Sequence, residues 1–372
     1  MRPGNGRLAI GLTAIAVLAV AGGAAFAADR GPTTSPSTAA LPLAPTPSGD
    51  AVPTVSVNLA ELPTGRSPQV AYLSGRVVKG GLGGDITVPG KQAIMGAVRY
   101  DGEAMVILEV GVGGSELVQV SESTGIEPGT RIPDVASLVT SVDEDMIAFG
   151  TARRNADNTS ARGNTVYLRS SFVDEELRRP NDWASTVLAV VGDTVYFAAQ
   201  TDRDGQTSTL NAWHWKTGKV DLLSSFKSPA DVDFQGARGV DQLSGAAQTF
   251  CSAIRQLADG KQLWRTCEYS LNGFTPGGGT VFATPDFRGE GGDPSTTAID
   301  SRTGEVLRRW TGVQFLGTVA EDDDHLLMAV DTGENTAGAI IRCSIGSGSC
   351  ELATSVAKTA RRDDLRLLGS RT

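Results

Sequence analysis

The sequence predicts an all-β fold, a seven-bladed β-propeller with four antiparallel strands per blade. Three observations predict it. Turn signals centred on Gly84, Gly125, Asp174, Gly218, Gly260, Gly304 and Gly348 recur at steps of 41 to 49 residues, the interval of one four-stranded unit repeated around a ring. The segments between them are β-branched and aromatic, with a further turn signal every several residues. Finally, the first repeat is one strand short and the chain ends with a strand to spare. At 372 residues, a propeller occupies the chain as one domain.

The N-terminus reads differently. Arg2 and Arg7 precede an apolar run over 8–21, and Ala25-Phe26-Ala27 fits a small-x-small cleavage site with the cut before Ala28. This predicts a secretory signal peptide over 1–27 and an exported protein, secreted or at the cell surface. The alternative is an uncleaved anchor over 8–28, just long enough to cross a bilayer. Residues 28–67 are rich in Pro, Ser, Thr and Ala, which predicts a disordered, extended linker before a propeller over 68–372.

In the first repeat, 70–73, 76–79 and 85–88 read as strands. The fourth repeat is the clearest copy: strands at 186–191, 194–199, 209–215 and 219–223, with turns at Gly192-Asp193 and Thr217-Gly218 and a polar loop over 200–207. The seventh has strands at 313–319, 326–330, 338–343 and 351–355. The spare strand is 364–369. Paired with the first blade, it completes four strands everywhere and removes an open edge that would invite aggregation.

Four cysteines in an exported chain predict two disulfides. Cys251 and Cys267 flank the Ala258-Asp259-Gly260 turn symmetrically, and Cys343 and Cys350 flank Gly346-Ser347. Facing residues of a hairpin lie within bridging distance. Each bridge would staple the third and fourth strands of a blade, worth about 3 kcal/mol for a loop near 15 residues. A metal is not expected, because zinc sites pair cysteines or histidines at short spacing and neither of the two histidines lies near a cysteine.

Three repeats carry a further motif. Ala298, Asp300, Thr303 and Gly304 are followed by Trp310. Ala212, Thr217 and Gly218 keep the spacing, with His214 in place of the Asp, and Asp259-Gly260 is followed by Trp264. These residues resemble the quinoprotein-type (PQQ-repeat-like) propeller repeat, and residues 69–369 as a whole resemble secreted WD40-like or quinoprotein-like propellers. The resemblance implies that the Trp packs between blades and is not a cofactor site. The adjacent-cysteine pair of quinoprotein dehydrogenases is missing, and no cofactor is expected.

The net charge of −9 argues against a nucleic-acid partner, which requires a basic patch. Nucleophilic catalysis wants a base, usually His. His214 lies within a strand between Trp213 and Trp215, and His325 follows the Asp322-Asp323-Asp324 turn, so both read as structural. No Gly-x-Ser-x-Gly elbow opens a helix. Asp202-Arg203-Asp204-Gly205 lacks the remaining ligands of a calcium loop.

Loop length is the better functional clue. The second-to-third strand loops at 151–164, 200–207, 285–296 and 331–336 are long and polar, and in a propeller they share one face. Loops on a rigid scaffold carry binding. Arg153, Arg154, Arg162, Asp202, Asp204, Asp286, Phe287, Arg288, Glu290 and Asp293 are the candidate binding residues. The reading is a monomeric, non-catalytic propeller that binds an envelope or extracellular protein, peptide or glycan. The alternative is an extracellular hydrolase or lyase with carboxylates in the propeller channel.

Overall fold

In the computed structural model, residues 52–368 are described, apart from 128, 158, 245–249, 286–291, 334–335 and 359–364. Every regular element among them is a β-strand, and the strands form seven blades of four antiparallel strands. The inner strands of the second to seventh blades are Ile94–Tyr100, Val135–Thr140, Ala184–Val191, Pro229–Val232, Tyr269–Phe274 and Gln314–Ala320. Each packs against the inner strand of the next blade, so together they wall the channel. In every blade the chain then steps outward, strand by strand. Strand limits agree with the sequence reading to within one or two residues through most of the fourth and seventh repeats. The outer strand of the seventh is shorter, Cys350–Leu352.

The turn rhythm has a backbone cause. Gly218, Gly260, Gly304 and Gly348 each donate an N–H to the carbonyl four residues back, at 2.8 to 3.0 Å. They adopt φ of 71°, 70°, 78° and 79°, and Gly125 matches at 71°. This left-handed conformation is cheap only for glycine, so the third-to-fourth strand turn stamps a Gly into the sequence in the second, fourth, fifth, sixth and seventh repeats. In the sixth blade the Asp300 carboxylate accepts the N–H groups of Arg302 and Thr303, both at 2.8 Å, and organises the turn.

The two motif tryptophans lie on the outer strands and reach the next blade. Trp264 donates to the Ser301 carbonyl at 2.9 Å, and Trp310 to the Gly348 carbonyl at 3.2 Å. A Cβ on Gly304 would come within 2.9 Å of the Trp264 ring. The motif is therefore an inter-blade packing device. Apolar side chains do the same around the whole ring, since each neighbouring pair of blades shares one buried cluster. Burial between blades is what stabilises a propeller, so its stability depends on closing the ring.

Closure follows the expected pattern and adds a second device. Leu365–Leu367 forms the inner strand of the first blade, pairing with Tyr72–Ser74, which is followed outward by Val77–Lys79 and Ile86–Thr87. Arg366 then donates to the Ile94 carbonyl of the second blade at 2.7 Å. Both disulfides are formed as expected, Cys251–Cys267 and Cys343–Cys350, with Cα atoms 4.0 and 4.1 Å apart.

The linker reading needs correction for residues 52–67, which are laid along the ring. Thr54–Ser56 adds a parallel fifth strand to the outer edge of the sixth blade. Val57 and Leu59 bury themselves against Trp310 and the cluster between the sixth and seventh blades. Thr64 bridges to Leu352 on the outer edge of the seventh. Backbone pairing with an open edge, plus two buried apolar side chains, outweighs the ordering entropy that the composition alone suggested. The signal-peptide reading and residues 28–51 lie outside the described residues.

A buried ion pair fastens this strap. Glu321 and Arg342 have side chains only 1% and 3% exposed. Glu321 also accepts the Gln69 N–H at 2.7 Å and an Arg66 guanidinium N–H at 3.0 Å. Burial opposes the Glu321 charge, but the hydrogen bonds from Arg342 and Gln69 and the charges of Arg342 and Arg66 prevail, holding its carboxyl below the usual carboxylate range. A depressed folded-state value stabilises the fold above the unfolded value, about 4.3, and that stability is lost as pH falls through the folded one. Urea midpoints should therefore drop as pH is lowered below about 4, and Glu321→Gln should flatten that dependence. An unchanged slope in Glu321→Gln would show that other carboxylates carry the acid response.

Candidate binding face

Up-and-down blades send alternate turns to opposite faces. The second-to-third strand loops and the connections between blades occupy one face, and the first-to-second and third-to-fourth turns occupy the other. On the long-loop face, the loop of the third blade is a small hairpin in which Arg154 bridges to Ser160. Its base is set by the buried Asn164. The Asn164 side chain accepts the Arg153 N–H at 2.7 Å and donates to the Asp182 carbonyl at 2.7 Å. The loop is thereby tied to the connection that enters the fourth blade.

That tie creates the face's most distinctive feature. The exposed Arg162 guanidinium lies over the half-buried ring of Trp183, 5.1 Å from its centroid, a cation–π arrangement. Arg153 is exposed beside it and donates to the Gly163 carbonyl at 3.3 Å. The neighbouring loop of the fourth blade abuts this one. The hydroxyl and N–H of Thr159 hold the Asp157 carboxyl low, and the charge of Arg203 from the fourth-blade loop contributes. An Arg-flanked aromatic shelf of this kind can stack a sugar ring or a planar side chain and donate to its polar rim.

The sequence-predicted residues separate on the structure. Arg153, Arg154, Arg162, Asp202 and Asp204 come together on the third and fourth blades. Within that group Asp202 is committed to its own loop. Its carboxylate accepts the N–H groups of Asp204 and Gln206 at 3.0 Å and that of Thr207 at 2.5 Å, and it also accepts the Thr207 hydroxyl. The Thr207 hydroxyl is the main stabilising influence that lowers its carboxyl. Asp293 stands apart, exchanging two backbone hydrogen bonds at 2.9 and 2.8 Å with Phe315 on the inner strand of the seventh blade. Asp286, Phe287, Arg288 and Glu290 lie outside the described residues. Trp183 was missed by the sequence reading, because it belongs to no repeat motif and sits in a connection between blades.

The histidines are engaged locally. His214 closes its strand with Nε2 3.1 Å from Asp221 and Nδ1 3.1 Å from the Thr194 hydroxyl. His325 is 2.9 Å from Asp322. Among the described residues no three His, Cys, Asp or Glu side chains converge as a metal site. The seven inner strands carry one carboxylate, Asp231, and no histidine.

No family model matches the sequence, and no curated protein matches it. Solved structures match the fold. One is a prolyl endopeptidase, from work on inter-domain dynamics in the catalysis and specificity of two such enzymes. It is 13% identical with a TM-score of 0.53, over 82% of this chain and 49% of that one. Another is apo prolyl oligopeptidase B from Galerina marginata, 10% identical with a TM-score of 0.51, over 80% of this chain and 53% of that one. This chain thus spans about half the length of the peptidases it matches. At such identities the likeness extends to the fold alone.

Proposed function

We propose that this protein is an exported, non-catalytic propeller that binds an envelope or extracellular protein, peptide or glycan through its long-loop face. The observation that carries the reading is the contrast between channel and loops. Paired-carboxylate catalysis needs two acids within reach of one bond, and the inner strands supply only Asp231. The third- and fourth-blade loops, by contrast, are braced from within by Asn164 and Asp202 and present Arg153 and the Arg162–Trp183 pair. Braced loops bind with less ordering cost. The two disulfides suit an oxidising, extracytoplasmic compartment.

The test is a glycan and envelope-peptide array probed with the wild-type protein, Arg162→Ala/Trp183→Ala, and a chain with 285–296 scrambled. Loss of the shelf should weaken the best-bound ligand by about tenfold or more, as expected for an aromatic anchor. Ligands bound equally by all three proteins would remove the long-loop face from the reading. Turnover of a polymer on the array that Asp231→Asn abolishes would establish the channel enzyme instead.

A further inference from the structure

The opposite face holds a second, differently built surface. Its inner turns join the first and second strands of the second to seventh blades, and neighbouring turns bond to one another at two points. The Asp101 N–H donates to the Glu144 carbonyl at 3.2 Å, and the Gly277 N–H to Asp323 at 2.6 Å. The turns of the second, third and seventh blades read Asp-Gly, Ser-Val-Asp-Glu-Asp and Glu-Asp-Asp-Asp. None of the six inner turns contains a Lys or Arg.

Over the first three blades this acidic ring is joined to exposed apolar surface. Phe172 is 96% exposed, Val142 64% and Leu82 62%. The turns that carry Leu82 and Val142 are bonded to each other. The Leu82 N–H donates to the Glu144 carboxylate at 3.1 Å, and Val142 stands two residues before Glu144. Phe172 lies in the turn that borders a cavity of about 350 Å³ between the second and third blades. Its lining is mixed: Tyr100 and Val173 stand beside Asp101, Gln119 and the Arg169–Asp174 ion pair, over a floor of buried Met105 and Ile147. A cavity of that size accommodates one or two side chains. Three bulky apolar side chains left in water beside such a cavity mark an interaction surface.

Asp101 and Glu144 adopt φ of 49° and 59°; for Asp101 this is the conformation an Asp-Gly hairpin turn favours. Asp101, Asp143, Glu144 and Asp145 have no ion-pair partner among the described residues. By contrast, Asp233, Glu321 and Asp193 elsewhere on the ring are paired with Arg238, Arg342 and Lys216. Burial raises the Glu144 carboxyl above its ordinary value, with the Leu82 N–H and the Arg99 charge offsetting this only in part. The two nearby cations are engaged elsewhere, Arg99 with the Gly80 and Val78 carbonyls and Arg169 with Asp174, so these four carboxylates keep no ion-pair partner among the described residues.

We propose that this sector docks a polypeptide segment that carries Lys or Arg on both sides of an aliphatic or aromatic anchor. The anchor packs on the exposed Val142 and Phe172 side chains at the rim of the cavity, and the flanking cations lie over Asp101, Asp143 and Asp145. Charge complementarity selects this occupant, because nucleic acid and anionic lipid surfaces are repelled by the same turns. The surface is distinct from the long-loop face, so the protein would engage two partners from opposite ends of one rigid ring.

Fluorescence anisotropy with the full chain tests it. The probe is a labelled twelve-residue peptide with Lys and Arg flanking a Leu-Trp centre. One control replaces the cations with Glu, and the other replaces Leu-Trp with Ser-Ser. The probe should bind with micromolar affinity at low salt and weaken as salt rises, and each control should bind at least about tenfold more weakly. Val142→Ser/Phe172→Ser and Asp143→Asn/Asp145→Asn, both at exposed turns and checked by wild-type melting curves, should each reduce affinity by about fivefold to tenfold. A chain with 201–207 scrambled should bind as the wild type does, whether or not the long-loop reading stands. Equal binding of the Leu-Trp and Ser-Ser peptides, unchanged binding in both turn variants, or no binding of any peptide would each overturn the proposal.

Discussion

A chain lacking residues 363–372 should lose its cooperative thermal transition and elute as aggregate, although the deletion removes under a tenth of the propeller. The missing segment supplies the entire inner strand of the first blade, Leu365–Leu367. It also supplies Leu367 and Leu368, which are 1% and 8% exposed. Those two side chains belong to different inter-blade clusters. Leu367 packs with Val319, Leu327 and Ile340 of the seventh blade, and Leu368 with the cluster shared by the first and second blades. Each buried leucine is worth about 2–5 kcal/mol. Their sum is comparable to the whole net stability of a typical domain, about 5–15 kcal/mol. The deletion also bares the edge of Tyr72–Ser74, an open edge that templates association. Calorimetry and size-exclusion chromatography read the outcome. A truncated chain that melts as the wild type does would mean the ring is not held by this strand. Leu367→Asp, which keeps the full length, should reproduce much of the loss. If Leu367→Asp proves neutral while the deletion is severe, closure rests on backbone pairing and not on the buried leucines.

The ring itself was legible in the sequence because its turns demand particular residues. Gly218, Gly260, Gly304 and Gly348 are fixed by a positive φ and a shared hydrogen bond. Cys343 and Cys350 occupy facing positions of one hairpin, so their pairing could be counted from its turn. The strap was not legible, because a three-residue parallel strand that borrows the edge of the sixth blade needs no repeat and little β-propensity. One local signal was present. Val55, Val57 and Leu59 alternate, the period of a strand with one buried face, but the surrounding Pro and Thr residues pointed to a linker. The candidate site was legible only as a face. Loop lengths located Arg153 and Arg162, but the role of Asp202 as the organiser of its own loop depends on hydrogen bonds within that loop. The partnership of Arg162 with Trp183 depends on Asn164 reaching across to Asp182, and spacing does not encode this contact. The acidic inner turns were readable one by one as polar hairpins. Only the closed ring brings them to a single face.

Arg342→Met should destabilise the protein by about 3–5 kcal/mol, the usual cost of breaking a buried ion pair by removing one partner. A guanidinium has five N–H donors in a fixed fork, and each has an acceptor here. Nε and one Nη2 N–H go to the Glu321 carboxylate. The other Nη2 N–H meets the Ser67 carbonyl at 3.0 Å, and the Nη1 pair meets the Arg66 carbonyl at 2.9 Å and Glu351 at 2.6 Å. A single side chain thus joins the strap to the seventh blade at the point where the chain passes into the first. Lysine offers one point charge and no fork, so Arg342→Lys should recover only part of the loss. The double variant Arg342→Met/Glu321→Met should be more stable than Arg342→Met alone, because it also removes a buried carboxylate left with only the half-exposed Arg66 as its cation. Urea unfolding of the wild type, Arg342→Met, Glu321→Met and the double variant gives the coupling energy directly. Additive single and double effects would mean that the two groups act independently. A large coupling, together with faster proteolysis of residues 52–67 in Arg342→Met, would mean that the pair locks the strap and, through it, the second closure of the ring.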